Sequence, residues 1–322
     1  PFKGTNAAAV ASGDTLTLSG ELADNQMKYY SQLKVVPKGG GTVTAGDGKL
    51  TVAGATQVEI YVAAETDYKN DYPAYRSGES MDDLKNQVEG RVNAAIEDGY
   101  EKVKAAHIAD YQNIFNRVEL DLGQQASQKP TDELLASYKN GTATDAEDRD
   151  LEVMLFQYGR YLTIASSRED SELPSNLQGL WNNRVNNVPW SSDYHMNVNL
   201  QMNYWPTYVT NMAECAIPLE NYVDSLREPG RVTAKTYFGV ESTEENPENG
   251  FTAHTQNTPF GWTCPGWDFS WGWSPAAVPW ILQNCYEYYE YTGDKEYLRD
   301  KIYPMLREEA ILYDQILVWD EE

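Results

Sequence analysis

The chain has 322 residues, enough for two domains with ample core in each. Its 25 Lys and Arg stand against 49 Asp and Glu, a formal net charge of −24, and this field repels phosphate backbones and anionic membranes, so nucleic acid is excluded as a partner. The three cysteines, Cys215, Cys264 and Cys285, imply no disulfide framework and lack metal-ligand spacing, and no apolar run approaches the roughly 20 residues of a membrane span.

Residues 1–68 read as β. Thr15–Ser19, Tyr29–Val36 and Val58–Ala64 carry strand-type residues or alternation, and Gly39–Gly41 and Gly46–Gly48 supply turns. The expected arrangement is antiparallel, a partial β-sandwich. From Ser80 the period becomes helical, with Leu84, Val88, Val92, Ala95 and Ile96 continuing to Val103, Ala106, Ile114 and Phe115. Ser80 and Asp83 form a capping box at its start. Val118–Leu122 reads as a short strand and Gly123–Pro130 as a polar linker, so residues 69–144 make a helical linker region. Asp145–Arg168 is expected as a long helix with Leu151, Met154, Leu155, Tyr158, Leu162 and Ala165 on one stripe. Further helices are expected at Leu200–Cys215, Pro218–Phe238, Pro275–Tyr291 and Asp294–Val318, with Gly293 as a C-cap. Helices with long loops and no intervening strands make residues 145–322 an all-α domain, and the whole chain α+β and multidomain.

The segment Leu173–Pro206 carries the chemistry. It places asparagines at 176, 182, 183, 186, 187, 197, 199 and 203 among Trp181, Trp190 and Trp205, with His195 in their midst. Planar amides both give and accept hydrogen bonds, as sugar hydroxyls do, and indole faces pack on sugar C–H groups. That pairing suits a carbohydrate, and equally an Asn-rich loop with structural tryptophans. For glycoside hydrolysis by two carboxylates, Asp193, Glu214, Asp268 and Asp294 are the candidates, each readable also as a helix cap or surface group. His107, on a long helix, reads as structural. Trp181, Trp190, Trp271 and Trp273 are candidate pocket walls, of which Trp181 and Trp271 are preferred.

Six motifs carry a resemblance: RYLTIASSR (Arg160–Arg168), LPSNLQGLWN (Leu173–Asn182), YHMNVNLQMNYWP (Tyr194–Pro206), GFTAHTQNTPFG (Gly250–Gly261), SWGWSP (Ser270–Pro275) and TGDKEYL (Thr292–Leu298). With HIADYQNIFNRVELDLG (His107–Gly123) before them, their order resembles glycoside hydrolase family 95, the inverting α-L-fucosidases and their L-galactose-cleaving relatives. The resemblance implies that residues 145–322 are the first part of an (α/α)6 toroid, and that further strands precede Pro1. It implies a reaction without cofactor or metal on an oligosaccharide or glycan, and a secreted or periplasmic protein, although the chain shows no signal peptide.

The resemblance also implies roles for single residues. Asn197 and Asn199 match an N-x-N pair that activates water with help from an aspartate. A neutral amide becomes a base only when a buried carboxylate polarises it. On a strand or extended loop, residues two apart face one side, so both amides could address one water in a cavity shared with His195. His195 matches a sugar-touching position where histidine goes with L-fucose and threonine with L-galactose; His254 and Trp271 are further expected sugar contacts, with Trp181. The glutamate acid and the assisting aspartate have no matching position, so the chain is expected to depend on the remainder of its own chain, Glu321 and Glu322 not lying in the donor's motif. Two departures from the family pattern, Asn257–Phe260 and Ser274, fall on the leaving-group side. An L-galactosidase, another toroid glycosidase or phosphorylase, or a non-catalytic sugar-binding protein are the competing readings. Arg184 alone is a thin phosphate cradle for a phosphorylase.

Overall fold

The structure, a computed structural model, describes residues 4–183, 188–266 and 268–320, with side chains from residue 7. Arg184, Asn186, Asn187, Glu321 and Glu322 lie outside the described residues. The chain divides into two compact units, Pro1–Asp110 and Tyr111–Glu322.

In the first unit β1 (Gly4–Ser12), β2 (Thr15–Leu22), β3 (Lys28–Lys38), and, further along, β4 (Thr42–Gly46), β5 (Lys49–Ala53) and β6 (Gln57–Thr66) follow one another. One antiparallel sheet has the order β1-β2-β3-β6, and β4 and β5 pair as a separate hairpin. That hairpin turns on Asp47 and Gly48, both at positive φ, the backbone a two-residue Asp-Gly turn requires. Helix α1 (Met81–Asp98) starts at the expected capping box, in which Ser80 and Asp83 satisfy each other's backbone N–H groups. Its Leu84 and Val88 bury against Tyr30 of β3, with Ala63 of β6 packed alongside. On β6 the alternate residues Val58, Ile60 and Val62 are exposed. The helical run expected to continue to Phe115 breaks at Gly99, φ 78°, before α2 (Tyr100–Phe115).

The second unit is helical: α3 (Thr131–Asn140), α4 (Asp145–Ser166), α5 (Asn199–Val209), α6 (Ile217–Ser225), α7 (Arg227–Phe238), the four-residue α8 (Phe269–Gly272), α9 (Ala277–Thr292), the short α10 (Lys295–Tyr297) and α11 (Tyr303–Ile316). An N-terminal antiparallel sheet followed by a helical region makes the chain α+β, as expected. Differences from the expected elements have local causes. Val118–Leu122 is not a strand, because the buried Arg160 guanidinium of α4 takes the carbonyls of Ile114, Phe115 and Val118. A guanidinium at the C-terminal carbonyls of α2 ends that helix favourably, and it fixes the chain that leaves it. The helix expected over Pro218–Phe238 is two, divided at Leu226. The one expected over Asp294–Val318 is opened by a π-helical turn, Leu298–Ile302.

Its main core joins Leu200, Tyr204 and Tyr208 of α5, Leu219, Tyr222 and Val223 of α6, and Val278, Ile281, Leu282 and Cys285 of α9. Tyr194, Met196, Phe251 and Ala253 enter the same core from loops. All three cysteines are free, and Cys215 and Cys285 are buried as small apolar groups.

Carboxylates are buried here in two ways. Glu308 of α11 takes bonds from Arg227 Nε at 2.7 Å and Arg231 Nε at 2.7 Å, so its charge is paired and α7 is pinned to α11. Glu220 of α6 accepts from Tyr208 Oη at 2.9 Å, and burial pushes its carboxyl up to about 8. Glu309 is raised too, by burial and by the neighbouring Glu308 charge.

A group whose pKa is raised by folding stabilises the fold below its unfolded value and loses that contribution as pH rises through the folded one. For Glu220 the window runs from about 4.5 to about 8, a loss on the order of 5 kcal/mol. Urea midpoints should therefore fall between about pH 5 and pH 8, and Glu220→Gln, which stays neutral, should flatten the decline to the share left by Glu309. An unchanged slope in Glu220→Gln would remove Glu220 from this role.

Candidate active site

The sequence Asp193-Tyr194-His195-Met196 runs as an extended segment whose alternate residues face opposite ways. Tyr194 and Met196 enter the core. The segment is held by backbone bonds from Tyr194 N–H to the Asn257 carbonyl at 3.0 Å and from Met196 N–H to the Thr255 carbonyl at 2.8 Å. Thr255 N–H in turn reaches the Gly272 carbonyl at 3.2 Å, and Leu177 N–H reaches the Asp193 carbonyl at 3.2 Å. Three of the motifs are thereby stitched to Asp193 and His195: LPSNLQGLWN, GFTAHTQNTPFG and SWGWSP.

On the side away from the core, one Asp193 carboxylate oxygen accepts from His195 Nδ1. The other accepts from Gln256 Nε2 at 3.0 Å, and all three side chains are buried. Two indoles enclose the imidazole. Trp271 stacks on it, with centroids 6.1 Å apart, and Trp190 meets it edge-on at 5.3 Å. The two tryptophans touch each other at 5.7 Å. Trp190, Ser191 and Ser192 all have positive φ, 53°, 58° and 54°, a conformation costing L-residues roughly 1–2 kcal/mol each. Strain of this kind persists only where surroundings hold it, and here it aims Trp190 across His195. Asp193 and Gln256 also line a cleft of about 350 Å³ with Ser191, Thr258, Trp262 and Gly266.

The other expected site residues are placed as follows. Asn197 lies exposed in the turn after Met196, and Asn199 is the half-buried first residue of α5. The backbone between them is a turn entering a helix, so strand alternation is not the geometry that would let both amides face one water. Trp181 lies in another cleft, of about 310 Å³, with Asn176, Gln178 and Asn203. Its ring covers Gly179, where an added Cβ would lie 2.6 Å from the indole. His254 is fully buried, packs on Trp273 at 4.6 Å and bonds the Thr263 carbonyl at 3.0 Å; burial lowers its pKa. That setting packs the imidazole away from solvent against Trp273.

The alternative carboxylates are accounted for. Asp268 caps α8 through Ser270 N–H, Asp294 caps α10 through Glu296 and Tyr297 N–H, and Glu214 pairs with Arg117 at 2.7 Å. Asp193 alone of the four is at His195. Gln256 escaped the sequence reading, because nothing in AHTQNT separates a glutamine facing Asp193 from one facing solvent. Among the described residues no group of three or more His, Cys, Asp and Glu is arranged to hold a metal ion. Nor is any described helix long and apolar enough to cross a membrane.

Comparison with known proteins shows the family to which the site belongs. Residues 99–322 match the profile of the "Glycosyl hydrolase family 95 catalytic domain", and residues 2–71 that of the "Glycosyl hydrolase family 65, N-terminal domain". The chain is 35% identical over 290 residues to "Alpha-L-fucosidase 2" of Arabidopsis thaliana, covering 87% of this chain and 32% of that one. It is 33% identical over 304 residues to "Probable alpha-fucosidase A" of Aspergillus niger, covering 92% of this chain and 36% of that one. It thus spans about a third of the length of these relatives. Among solved structures, a "Putative kojibiose phosphorylase from human microbiome" shares the fold with a TM-score of 0.60 at 12% identity, over 96% of this chain and 36% of that one.

The stitching around His195 leaves no room at Gly272, where an added Cβ would lie 1.6 Å from the Pro265 carbonyl oxygen. Gly159, exposed on α4, has nothing within 4 Å of its Cβ position. Gly272→Ala should lower unfolding free energy by about 1–3 kcal/mol, as overpacking does. Gly159→Ala should raise it by about 0.5–1 kcal/mol, as alanine for glycine does inside a helix. Urea denaturation of both variants checks the pair, and equal midpoints would contradict the packing described at Gly272.

Proposed function

The chain belongs to glycosyl hydrolase family 95, and from that premise we propose that it is the sugar-binding part of an α-L-fucosidase that removes terminal α-linked L-fucose with inversion. The observation that carries the reading is His195, bonded to Asp193, walled by Trp190 and Trp271, and set in the family's own motif. Histidine at this position, in place of threonine, favours L-fucose over L-galactose within the family. The relatives named above as fucosidases point the same way.

In the proposed reaction a water oxygen attacks the anomeric carbon as the glycosidic bond breaks. Asn197 and Asn199 orient that water, and its proton passes to an assisting aspartate polarising their amides. A glutamate donates a proton to the departing oxygen, so β-L-fucose and an alcohol leave. Glutamate and aspartate are proposed to come from sequence outside these 322 residues. Glu214, Asp268 and Asp294 are engaged elsewhere, and Asp193 accepts two N–H bonds and is not placed as the acid. The indole of Trp271 packs on the sugar, and Trp181, in the second cleft, is available to a longer glycan. We place the protein, by its family, outside the cytoplasm.

Two measurements test this. Asn199→Ala in the full gene product should lower kcat by about 10²-fold or more, with a much smaller rise in KM, because orienting water counts chiefly in the transition state. An unchanged kcat would leave Asn199 a helix-start residue. The 322 residues alone should release no fucose from a 2-fucosylated lactose, since a missing general acid costs about 10²–10⁴-fold with a natural leaving group. Fucose release by the isolated 322 residues would place the acid among them and overturn the division of labour.

A further inference from the structure

We propose that Asp193 is a positioning residue that fixes the proton of His195 on Nδ1, and that Gln256 fixes Asp193, so that Nε2 is presented to the sugar as an acceptor. The proposal rests on the reading of His195 as a sugar ligand and adds the device that sets its hydrogen-bonding sense.

The geometry is a chain of single-purpose contacts. An added Cβ at Gly266, φ 94°, would lie 2.3 Å from Gln256 Oε1, so a side chain there would displace the Gln256 amide. That amide donates Nε2–H to one oxygen of Asp193 at 3.0 Å. The second oxygen of Asp193 faces His195 Nδ1. A carboxylate can only accept, so Nδ1 must carry the hydrogen. A neutral imidazole with hydrogen on Nδ1 has a bare Nε2. His195 Nε2 bonds to nothing among the described residues and is not one of the atoms sealed from solvent without a partner. Among the described residues no Lys or Arg pairs with the Asp193 carboxylate, and its contacts there are the imidazole and the Gln256 amide.

Asp193→Asn makes the logic testable, because Gln256 still donates. With Gln256 donating as it does to Asp193, the asparagine turns its oxygen to Gln256 and its NH2 to His195, which strips Nδ1 of its hydrogen and puts one on Nε2. Exchanging the partner as well, in Asp193→Asn with Gln256→Glu, reverses the asparagine: NH2 to the new carboxylate, oxygen to Nδ1.

The experiment is nitrogen-15 NMR of histidine-labelled full gene product at a pH where imidazole is neutral, with a His195→Gln variant to identify the His195 signals by their loss. Michaelis constants on a 2-fucosylated lactose accompany it. Expected are Nδ1–H in the wild type, Nε2–H in Asp193→Asn, and Nδ1–H again in the double variant. KM should rise about 10- to 100-fold in the single variant, the factor for one misdirected hydrogen bond, and recover in the double one, while kcat moves less. A wild-type His195 bearing hydrogen on Nε2 overturns the proposal whatever Asp193→Asn does. A tautomer unmoved by Asp193→Asn also overturns the positioning role, leaving the fucosidase reading intact. A tautomer that flips while KM stays constant overturns presentation to the sugar, and with it the reading of His195 as a sugar ligand.

Discussion

Two backbone hydrogen bonds, Tyr194 N–H to the Asn257 carbonyl and Met196 N–H to the Thr255 carbonyl, set the register on which the rest of the site depends. They lock an extended segment whose inward residues, Tyr194 and Met196, are sealed in the core between α5, α6 and α9. Because side chains alternate along such a segment, sealing one pair commits Asp193 and His195 to the other side. A slip of one residue would bury the imidazole's place in the core and expose Met196, so apolar burial here selects the position of a polar group. Histidine, aspartate and glutamine thus meet because two hydrophobic neighbours have nowhere else to go.

A second anchor holds the segments that flank this one. The Tyr204 hydroxyl of α5 contacts Ser167 Oγ at 2.8 Å and receives Ser175 N–H at 2.8 Å, while Ser166 and Ser175 join at 2.6 Å. Burial pushes the Tyr204 phenol up to about 12, so it stays protonated and keeps both donor and acceptor functions. The motif RYLTIASSR is therefore mostly structural. Its first arginine, Arg160, ends α2 and its serines tie the end of α4 to the loop carrying Trp181. Motif strength and proximity to chemistry are different properties, and in this chain one tyrosine hydroxyl links them.

The sequence made some elements readable and hid others for physical reasons. The capping box at Ser80 and the helical period of α4 are local signals, and both helices lie where they were expected, but the α4 stripe is not a buried face: Leu155 and Tyr158 are exposed, and Arg160 and Ile164 are buried instead. Strand β1 was hidden by its alanines, which have little strand preference, and β4 and β5 by their shortness around the glycine turns. The absent strand at Val118–Leu122 reflects a partner 42 residues away in sequence, the Arg160 guanidinium, which no local pattern reveals. At the site, residue types pointed to His195 and Trp271, which the structure brings together, and to His254, which it buries against Trp273. Spacing two apart brings Asp193 and His195 to one side on extended backbone, a pairing that was not expected. It was no guide for Asn197 and Asn199, where a helix begins.

What most directly tests the account is a crystal structure of the full gene product with L-fucose bound. The account predicts a sugar hydroxyl within about 3.2 Å of His195 Nε2, the upper end of ordinary hydrogen-bond lengths, with an apolar sugar face on Trp271. Asp193 should remain on Nδ1. Fucose bound away from His195, or an Asp193 carboxylate turned from the imidazole to the sugar, would contradict it.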